Sequence, residues 1–234
     1  KRQLYGLSSS LADNRSATKK NTYLDYLGVV DANIGGNKAN YYVNRGIAHS
    51  VRFDSEGTLQ GAVAVRYQNI STDKSPYGGE YQNFVRFILP QGAEIQSIFL
   101  DEEEQIVLSA NTDTQPIASP NYISQSGIEV EETIGFGKSI FGFFVAVPMN
   151  STRKVTMSYR IPEAMKPREA GFSYKLHVYK QPGTISNSYT LSLAYPDGMQ
   201  LVKSDKGVVD LGGRLTYDTD VNTDKSLIVS FSKK

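Results

Sequence analysis

The sequence contains no cysteine and no tryptophan, and it has only two histidines among 234 residues. A disulfide framework and a thiol nucleophile are thereby excluded, and the usual zinc ligands are almost absent. His49 and His177 each lie in an alternating strand pattern, so we interpret both as ordinary strand residues. No G-x-S-x-G, H-E-x-x-H or P-loop motif occurs. These absences predict a chain with no catalytic residues, no resident metal and no cofactor.

The chain also lacks an excess of charge and a long apolar run. Its 25 Lys and Arg residues are balanced by 24 Asp and Glu residues. A nearly neutral chain has no field that attracts nucleic acid, so we expect no nucleic-acid partner. No stretch approaches the ~20 consecutive apolar residues of a membrane helix, so we expect no membrane insertion within this chain.

What the sequence does contain is a period of two, with apolar residues on one parity and polar residues on the other. The alternation is clear over residues 59–67, 155–161 and 189–195. Three of the strand-like runs end in turns led by Pro90, Pro148 and Pro196, where proline presets the first corner. The pattern predicts an all-β chain of one or two antiparallel β-sandwich (Ig-like) domains.

One segment interrupts the strand pattern in the second half of the chain. Residues 163–171 contain proline, glycine and several charges, and we interpret them as a linker. We therefore predict a larger sandwich over 23–162 and a smaller one over 172–234. Residues 1–22 are expected to form a short helical or irregular remnant. The alternative is a single large sandwich in which the linker is a crossover loop.

A polar turn near the start of the chain is the strongest candidate for a binding site. It contains Asn33, Gly35, Gly36, Asn37 and Lys38. Consecutive glycines permit unusual backbone angles, and their exposed N–H groups beside a lysine provide an anion cradle. The alternative is a tight turn in which the two asparagine side chains bond to the local backbone.

Two further groups of residues have the composition of ligand sites. Tyr41, Tyr77 and Tyr81 are candidates for a sugar-binding platform, although tyrosine-rich strands are also ordinary sheet surfaces. The acidic run near the C-terminus has four oxygen-bearing side chains at alternate positions, which can present several oxygens to one calcium ion: Asp218, Asp220, Asn222 and Asp224. Asn and Asp are equally common in turns for backbone reasons, so a turn is the competing interpretation.

Residues 24–43, with the segment Val-Val-Asp-Ala-Asn-Ile-Gly-Gly-Asn-Lys, resemble the C-terminal part of DUF4012, a bacterial family of unknown function. The resemblance continues through Tyr77-Gly-Gly-Glu-Tyr81 and residues 84–92 to residues 180–183. It implies an extracytoplasmic location at the bacterial cell surface, with a membrane anchor upstream of this chain. No catalytic residues are known for that family, so the resemblance implies none here.

The sequence therefore favours a non-catalytic structural or interaction module of a bacterial cell-envelope protein, whose partner is another envelope protein or a polysaccharide. One alternative is a module that binds cell-wall or surface polysaccharide. Another is an accessory β domain of an enzyme whose active site lies upstream. A Lys–Asn isopeptide crosslink is a further possibility, and it requires a buried lysine beside an asparagine and a carboxylic acid.

Overall fold

The computed structural model describes residues 21–54, 57–109, 127–162 and 171–234, and most of these residues lie in β-strands. A single turn of 3-10 helix, Ala39–Tyr42, precedes the second strand. Within the described ranges no helix is long and apolar enough to cross a membrane. The sixteen described strands are β1 (Thr22–Asn33), β2 (Val43–Phe53), β3 (Leu59–Asn69), β4 (Tyr81–Pro90), β5 (Glu94–Leu100), β6 (Glu103–Gln105), β7 (Val107–Ser109), β8 (Ile128–Gly135), β9 (Lys138–Val147), β10 (Ser151–Ile161), β11 (Phe172–Tyr179), β12 (Ser188–Ala194), β13 (Met199–Ser204), β14 (Val208–Asp210), β15 (Arg214–Asp220) and β16 (Lys225–Lys233).

The strands form two eight-stranded sheets. Sheet A has the order β13-β16-β11-β1-β4-β9-β8-β7, and sheet B has the order β14-β15-β12-β2-β3-β10-β5-β6. The all-β prediction is confirmed. The prediction of purely antiparallel sheets is wrong, because β1 pairs with β11, β2 with β12 and β7 with β8 in parallel. Each parallel pair joins strands that are distant in sequence or are separated by a long connection, as parallel pairing requires.

The parallel pairs also join the two segments that the sequence pattern had separated. Strand β11 lies beside β1 in sheet A, and strand β12 lies beside β2 in sheet B. Residues from both segments, Leu59 and Phe231 among them, belong to one cluster of buried apolar side chains. The sheets therefore do not divide at residues 163–171. The predicted N-terminal remnant and the linker lie largely outside the described residues.

Side chains that are buried at every second position of the strands fill the space between the two sheets. On β3 the side chains of Leu59, Val63, Val65 and Tyr67 are fully buried, and the alternate positions are exposed or half-buried. Burying each large apolar side chain contributes about 1.5–3 kcal/mol. The same alternation on β10 and β12 is confirmed.

The three proline-led turns all carry the chain from one sheet to the other. The turn at Pro90 links β4 of sheet A to β5 of sheet B, and the turn at Pro148 links β9 to β10. The turn at Pro196 links β12 of sheet B to β13 of sheet A. Gly92, Asn150 and Gly198 adopt the positive φ angles that these corners need.

Gly61 marks a close approach within the core. A Cβ atom added to Gly61 of β3 would lie 2.2 Å from the Tyr159 ring of β10. We expect Gly61→Ala to lower the free energy of unfolding by about 1–3 kcal/mol, because a fully packed ring has no room to move. Urea denaturation measures this change. The control is Ala64→Ser, on the outward parity of the same strand, which should change stability by less than about 0.5 kcal/mol.

Candidate functional site

The connection between β1 and β2, here called the Asn33–Tyr42 loop, is fixed by its own asparagines. The Asn33 amide donates to the Asn37 carbonyl (2.9 Å) and to the Asn37 and Asn40 side chains, and its oxygen accepts from the Gly35 N–H. The Asn37 amide donates to the Glu80 carbonyl (2.9 Å), and its oxygen accepts from the Ala39 N–H. The asparagine side chains therefore bond to neighbouring backbone and side chains, as the turn interpretation proposed. Asn33 and Asn37 shape the loop.

The glycines of this loop allow its reversal. Gly36 has a φ of +70°, and a Cβ atom there would meet no neighbouring atom. That backbone angle is what favours glycine, since L side chains rarely adopt it. Gly35 is half-buried and lies beside Gln82. We therefore assign both glycines to loop geometry.

Three of the predicted binding residues, Lys38, Tyr41 and Tyr77, are linked to one another at the protein surface. Tyr41 and Tyr77 are 77% and 76% exposed. The Lys38 N–H donates to the Tyr77 carbonyl (2.8 Å), its ammonium lies 5.8 Å from the centre of the Tyr77 ring, and the Tyr41 N–H donates to the Lys38 carbonyl. Backbone hydrogen bonds thus link two exposed tyrosines through one exposed lysine, and we call these three residues the Lys38–Tyr41–Tyr77 surface.

Tyr81, which the sequence grouped with these tyrosines, lies elsewhere. It is only 4% exposed, and its ring packs 6.1 Å from the ring of Tyr67 in the core. Burial and the nearby Asp31 carboxylate raise its pKa. The physical reason is parity, since Tyr81 shares the core-facing side of β4 with Val85 and Phe87. Tyr81 is therefore removed from the candidate binding residues.

Beneath the loop lies a buried ion pair that the sequence reasoning missed. The Arg45 guanidinium of β2 contacts the Asp31 carboxylate of β1, and the two side chains are 6% and 10% exposed. The other Asp31 oxygen accepts from the Tyr67 hydroxyl (2.6 Å) and the Asn83 amide (2.7 Å). Gln181, beyond the end of β11, bonds to the Asp31 backbone in both directions. We call this group the Asp31–Arg45 network.

The positions of Asp31 and Arg45 in the alternating strand pattern could have indicated this network from the sequence. Asp31 lies on the same side of β1 as Leu27 and Val29, and Arg45 lies on the same side of β2 as Ile47 and Val51. A charged residue on a core-facing parity must be paired. Alternation therefore marks both residues as buried, although it does not identify them as partners.

A second set of buried polar groups occupies the middle of the sandwich. Asp25 is fully buried and accepts from the Tyr174 hydroxyl (2.5 Å) and the Tyr26 N–H (2.8 Å), and burial raises its pKa to about 7. His49 lies between the hydroxyls of Tyr159 (2.9 Å) and Tyr189 (3.0 Å), and burial lowers its pKa to about 3. His49 is thus closed off from solvent. His177 lies on the outward parity of β11.

Lys138 is the buried lysine nearest to what an isopeptide bond requires. Its ammonium lies 3.3 Å from the centre of the Tyr26 ring and has no hydrogen-bond partner among the described residues. Burial lowers its pKa to about 8. No asparagine or carboxyl group bonds to this ammonium in the described ranges, so the geometry does not favour a crosslink at Lys138.

The residues of the calcium candidate do not converge. Asp218 and Asp220 lie exposed along β15, opposite Thr190 and Ser188 of β12. The Asn222 side chain accepts from the Lys225 ammonium (2.8 Å), and that of Asp224 accepts from the Lys180 N–H (2.8 Å). In the described part of the chain no three His, Cys, Asp or Glu side chains are placed to hold one ion. The turn interpretation accounts for these residues.

Comparisons with known proteins find distant structural neighbours only, among those described below. No protein-family model matches the sequence, and no curated protein matches it. A Legionella pneumophila protein described as nutrient-binding is 8% identical, with a TM-score of 0.46 over 89% of this chain and 71% of that one. Yeast leukotriene A4 hydrolase with Bestatin is 8% identical (TM-score 0.44, 84% and 30%). The native Saccharomyces cerevisiae enzyme is 10% identical (TM-score 0.43, 83% and 30%).

Proposed function

We propose that this chain is a non-catalytic interaction module of a bacterial cell-envelope protein and that the Lys38–Tyr41–Tyr77 surface contacts its partner. One observation carries the proposal: the Asn33–Tyr42 loop and the β3–β4 connection, which hydrogen bonds join, present two strongly exposed tyrosines beside a lysine. Binding residues concentrate on loops that a rigid scaffold positions. Tyrosine is enriched at such contacts because its ring buries area at little entropic cost.

The extracytoplasmic and bacterial parts of the proposal rest on the resemblance to DUF4012 in residues 24–43. The non-catalytic part is supported by the burial of Asp25 and His49, two titratable groups whose pKa values are strongly shifted. Asp25 and His49 are both buried, and each is bonded to tyrosine hydroxyls. Groups in that environment hold strands together and do not meet a substrate.

A cell-wall or surface polysaccharide is the second candidate partner, and the same surface favours it. Exposed tyrosine rings stack on the apolar faces of sugars, and the lysine and the nearby Asn40 amide provide hydrogen-bond donors. An envelope protein would use the same rings as buried anchors. The two candidate partners are distinguished by whether the immobilised module retains protein or polysaccharide from an envelope preparation.

The test is a pull-down with the immobilised chain from separated cell-wall and membrane fractions of a Gram-positive bacterium, followed by protein and sugar analysis. We expect Tyr41→Ala/Tyr77→Ala to reduce retention roughly tenfold or more, because removing an aromatic anchor costs about 2 kcal/mol or more. The matched control is Phe136→Ala, because Phe136 is 73% exposed on the β8–β9 turn.

Retention that falls with the tyrosine variant and stays with the control supports the proposal, and the retained material decides between protein and polysaccharide. Equal retention by all three chains would contradict this contact surface. Turnover of any envelope component by the chain alone would contradict a non-catalytic role.

A further inference from the structure

The outer face of sheet B contains a shallow depression of about 700 Å³. Its floor consists of small side chains on four adjacent strands: Ser192 of β12, Ser50 of β2, Ala62 of β3 and Ser158 of β10. Longer side chains surround the floor, with Arg52, Arg160 and Arg214 among them. The depression therefore exists because four neighbouring strands carry short outward residues at the same level.

Strand register arranges the arginines in one cross-strand row. Ala194 of β12 lies opposite Arg214 on one side and Arg52 on the other. Arg52 in turn lies opposite Gln60, and Gln60 lies opposite Arg160. Successive arginines are thus two strands, or about 10 Å, apart. Between Arg214 and Arg52 stands an alanine, whose short side chain leaves the space between them open.

Within the described ranges, two of the three arginines have no carboxylate partner. Arg160 is paired with Glu94 of β5 (2.7 Å). Among the described residues Arg214 has no side-chain hydrogen bond, and Arg52 bonds only to the neutral Gln60 amide. Of the lining residues that the structure describes, Asp54 is the one carboxylate, and it accepts the Thr58 N–H within the β2–β3 turn. The row therefore leaves two guanidinium groups available to an anion.

The lining also limits the class of anion. Its two large apolar residues, Val51 and Tyr159, are 2% and 1% exposed, so neither offers a pocket for an apolar anchor or a platform for a nucleic-acid base. The hydroxyls of Ser158 and Ser192 have no hydrogen-bond partner among the described residues. Free hydroxyls on an open, polar floor suit a ligand that is itself rich in hydroxyls.

We infer that this face of sheet B is a binding site for an acidic polysaccharide, with a carboxylate held between Arg52 and Arg214 above Ala194 and sugar hydroxyls on the serine floor. Guanidinium groups bind carboxylates through two parallel hydrogen bonds. Lys38 precedes β2 and Arg52 lies near its end, so the site is about 30 Å from the Lys38–Tyr41–Tyr77 surface. It does not depend on that surface.

The test is affinity gel electrophoresis of the whole chain in gels containing polygalacturonate, with its methyl ester as the matched neutral polymer. We expect retardation by polygalacturonate only. Arg52→Gln/Arg214→Gln should weaken the apparent affinity roughly tenfold or more, since two charge-assisted contacts are lost. Ala194→Glu should do the same by placing a carboxylate between the arginines. Both arginines are exposed, so the double variant is expected to keep its urea midpoint.

The control for loss of charge is Arg66→Gln/Lys154→Gln, which removes two cations that lie opposite each other nearer the far end of the same face. It should bind like the wild type, and so should Tyr41→Ala/Tyr77→Ala. Equal retardation by the ester, or an equal loss in the Arg66/Lys154 control, would overturn the site. Tighter binding to single-stranded DNA than to polygalacturonate would overturn the ligand class. Loss of binding in the tyrosine variant alone would assign polygalacturonate to the Lys38–Tyr41–Tyr77 surface and would also overturn the site.

Discussion

Replacing Asp31 with asparagine is expected to lower the free energy of unfolding by about 3–5 kcal/mol, the usual cost of removing one partner of a buried ion pair. The guanidinium of Arg45 would remain in the core without its counter-charge. In either orientation the asparagine NH2 group would face a donor, because Arg45 donates to one Asp31 oxygen and Tyr67 and Asn83 donate to the other. Urea denaturation of the variant and the wild type measures the difference.

A double-mutant cycle with Arg45→Met separates the ion pair from the other contacts of Asp31. Removing both charges leaves no unpaired ion in the core, so Asp31→Asn/Arg45→Met should be more stable than the sum of the single changes predicts by at least about 1 kcal/mol. The exposed pair Arg160–Glu94 provides the matched control. Glu94→Gln should cost less than about 1 kcal/mol. Additive effects of Asp31 and Arg45 would show that the pair is not a unit.

The same network ties the fold to the proposed contact surface. Asp31 lies two residues before Asn33, and it connects β1 to β2, β3, β4 and the segment after β11 through its partners. The Asn33–Tyr42 loop therefore starts from the best-connected end of β1. Loss of Asp31 should loosen the loop, and retention of envelope material should fall even at temperatures where the variant is folded.

Replacing Asp25 with asparagine is expected to stabilise the protein at alkaline pH. The pKa of Asp25 is raised from its ordinary value to about 7 by burial, so its contribution to stability is complete below about pH 4 and is lost as the pH rises through 7. The loss amounts to roughly 4 kcal/mol, from a difference of about three pKa units. Asparagine has a similar shape and no charge, so the variant avoids this loss.

The measurement is the free energy of unfolding in urea from pH 4 to pH 9. The difference between the Asp25→Asn variant and the wild type should rise from near zero at pH 4 to a few kcal/mol at pH 9. Glu129→Gln, which removes an exposed carboxylate of β8, should show no such rise. A variant less stable than the wild type at pH 9 would show that the Tyr174 hydroxyl holds Asp25 as a stabilised anion.

His49 has the opposite dependence. Its pKa is lowered to about 3 by burial, so its contribution is complete above about pH 6.5 and is lost as the pH falls through 3. Between about pH 4 and pH 6.5 the contributions of Asp25 and His49 to stability change in opposite directions with pH. The free energy of unfolding of the wild type should therefore change little over that range. His49 is common to the two proteins compared, so it does not affect their difference.

Much of the architecture followed from local pattern. Alternation on β3, β10 and β12 identified the strands and their buried sides, because successive side chains of a strand point to opposite faces. The turns at Pro90, Pro148 and Pro196 were identified because proline restricts the backbone at the first corner, and glycine or asparagine tolerates the positive φ that follows. Tyr81 was predicted to be a binding residue, although its parity with Val85 and Phe87 indicates burial. Asp31 and Arg45 were missed because their core-facing parity was not considered either.

The sequence by itself determined strands β3, β10 and β12, the buried side of each of them and the three proline-led turns, since these depend on neighbours a few positions apart. Only the tertiary structure decided strand order: that β11 lies beside β1, that Arg45 meets Asp31, and that Arg52 and Arg214 face each other across Ala194. These contacts join residues far apart in the chain. Their register is set by packing of the whole core, which no local pattern encodes.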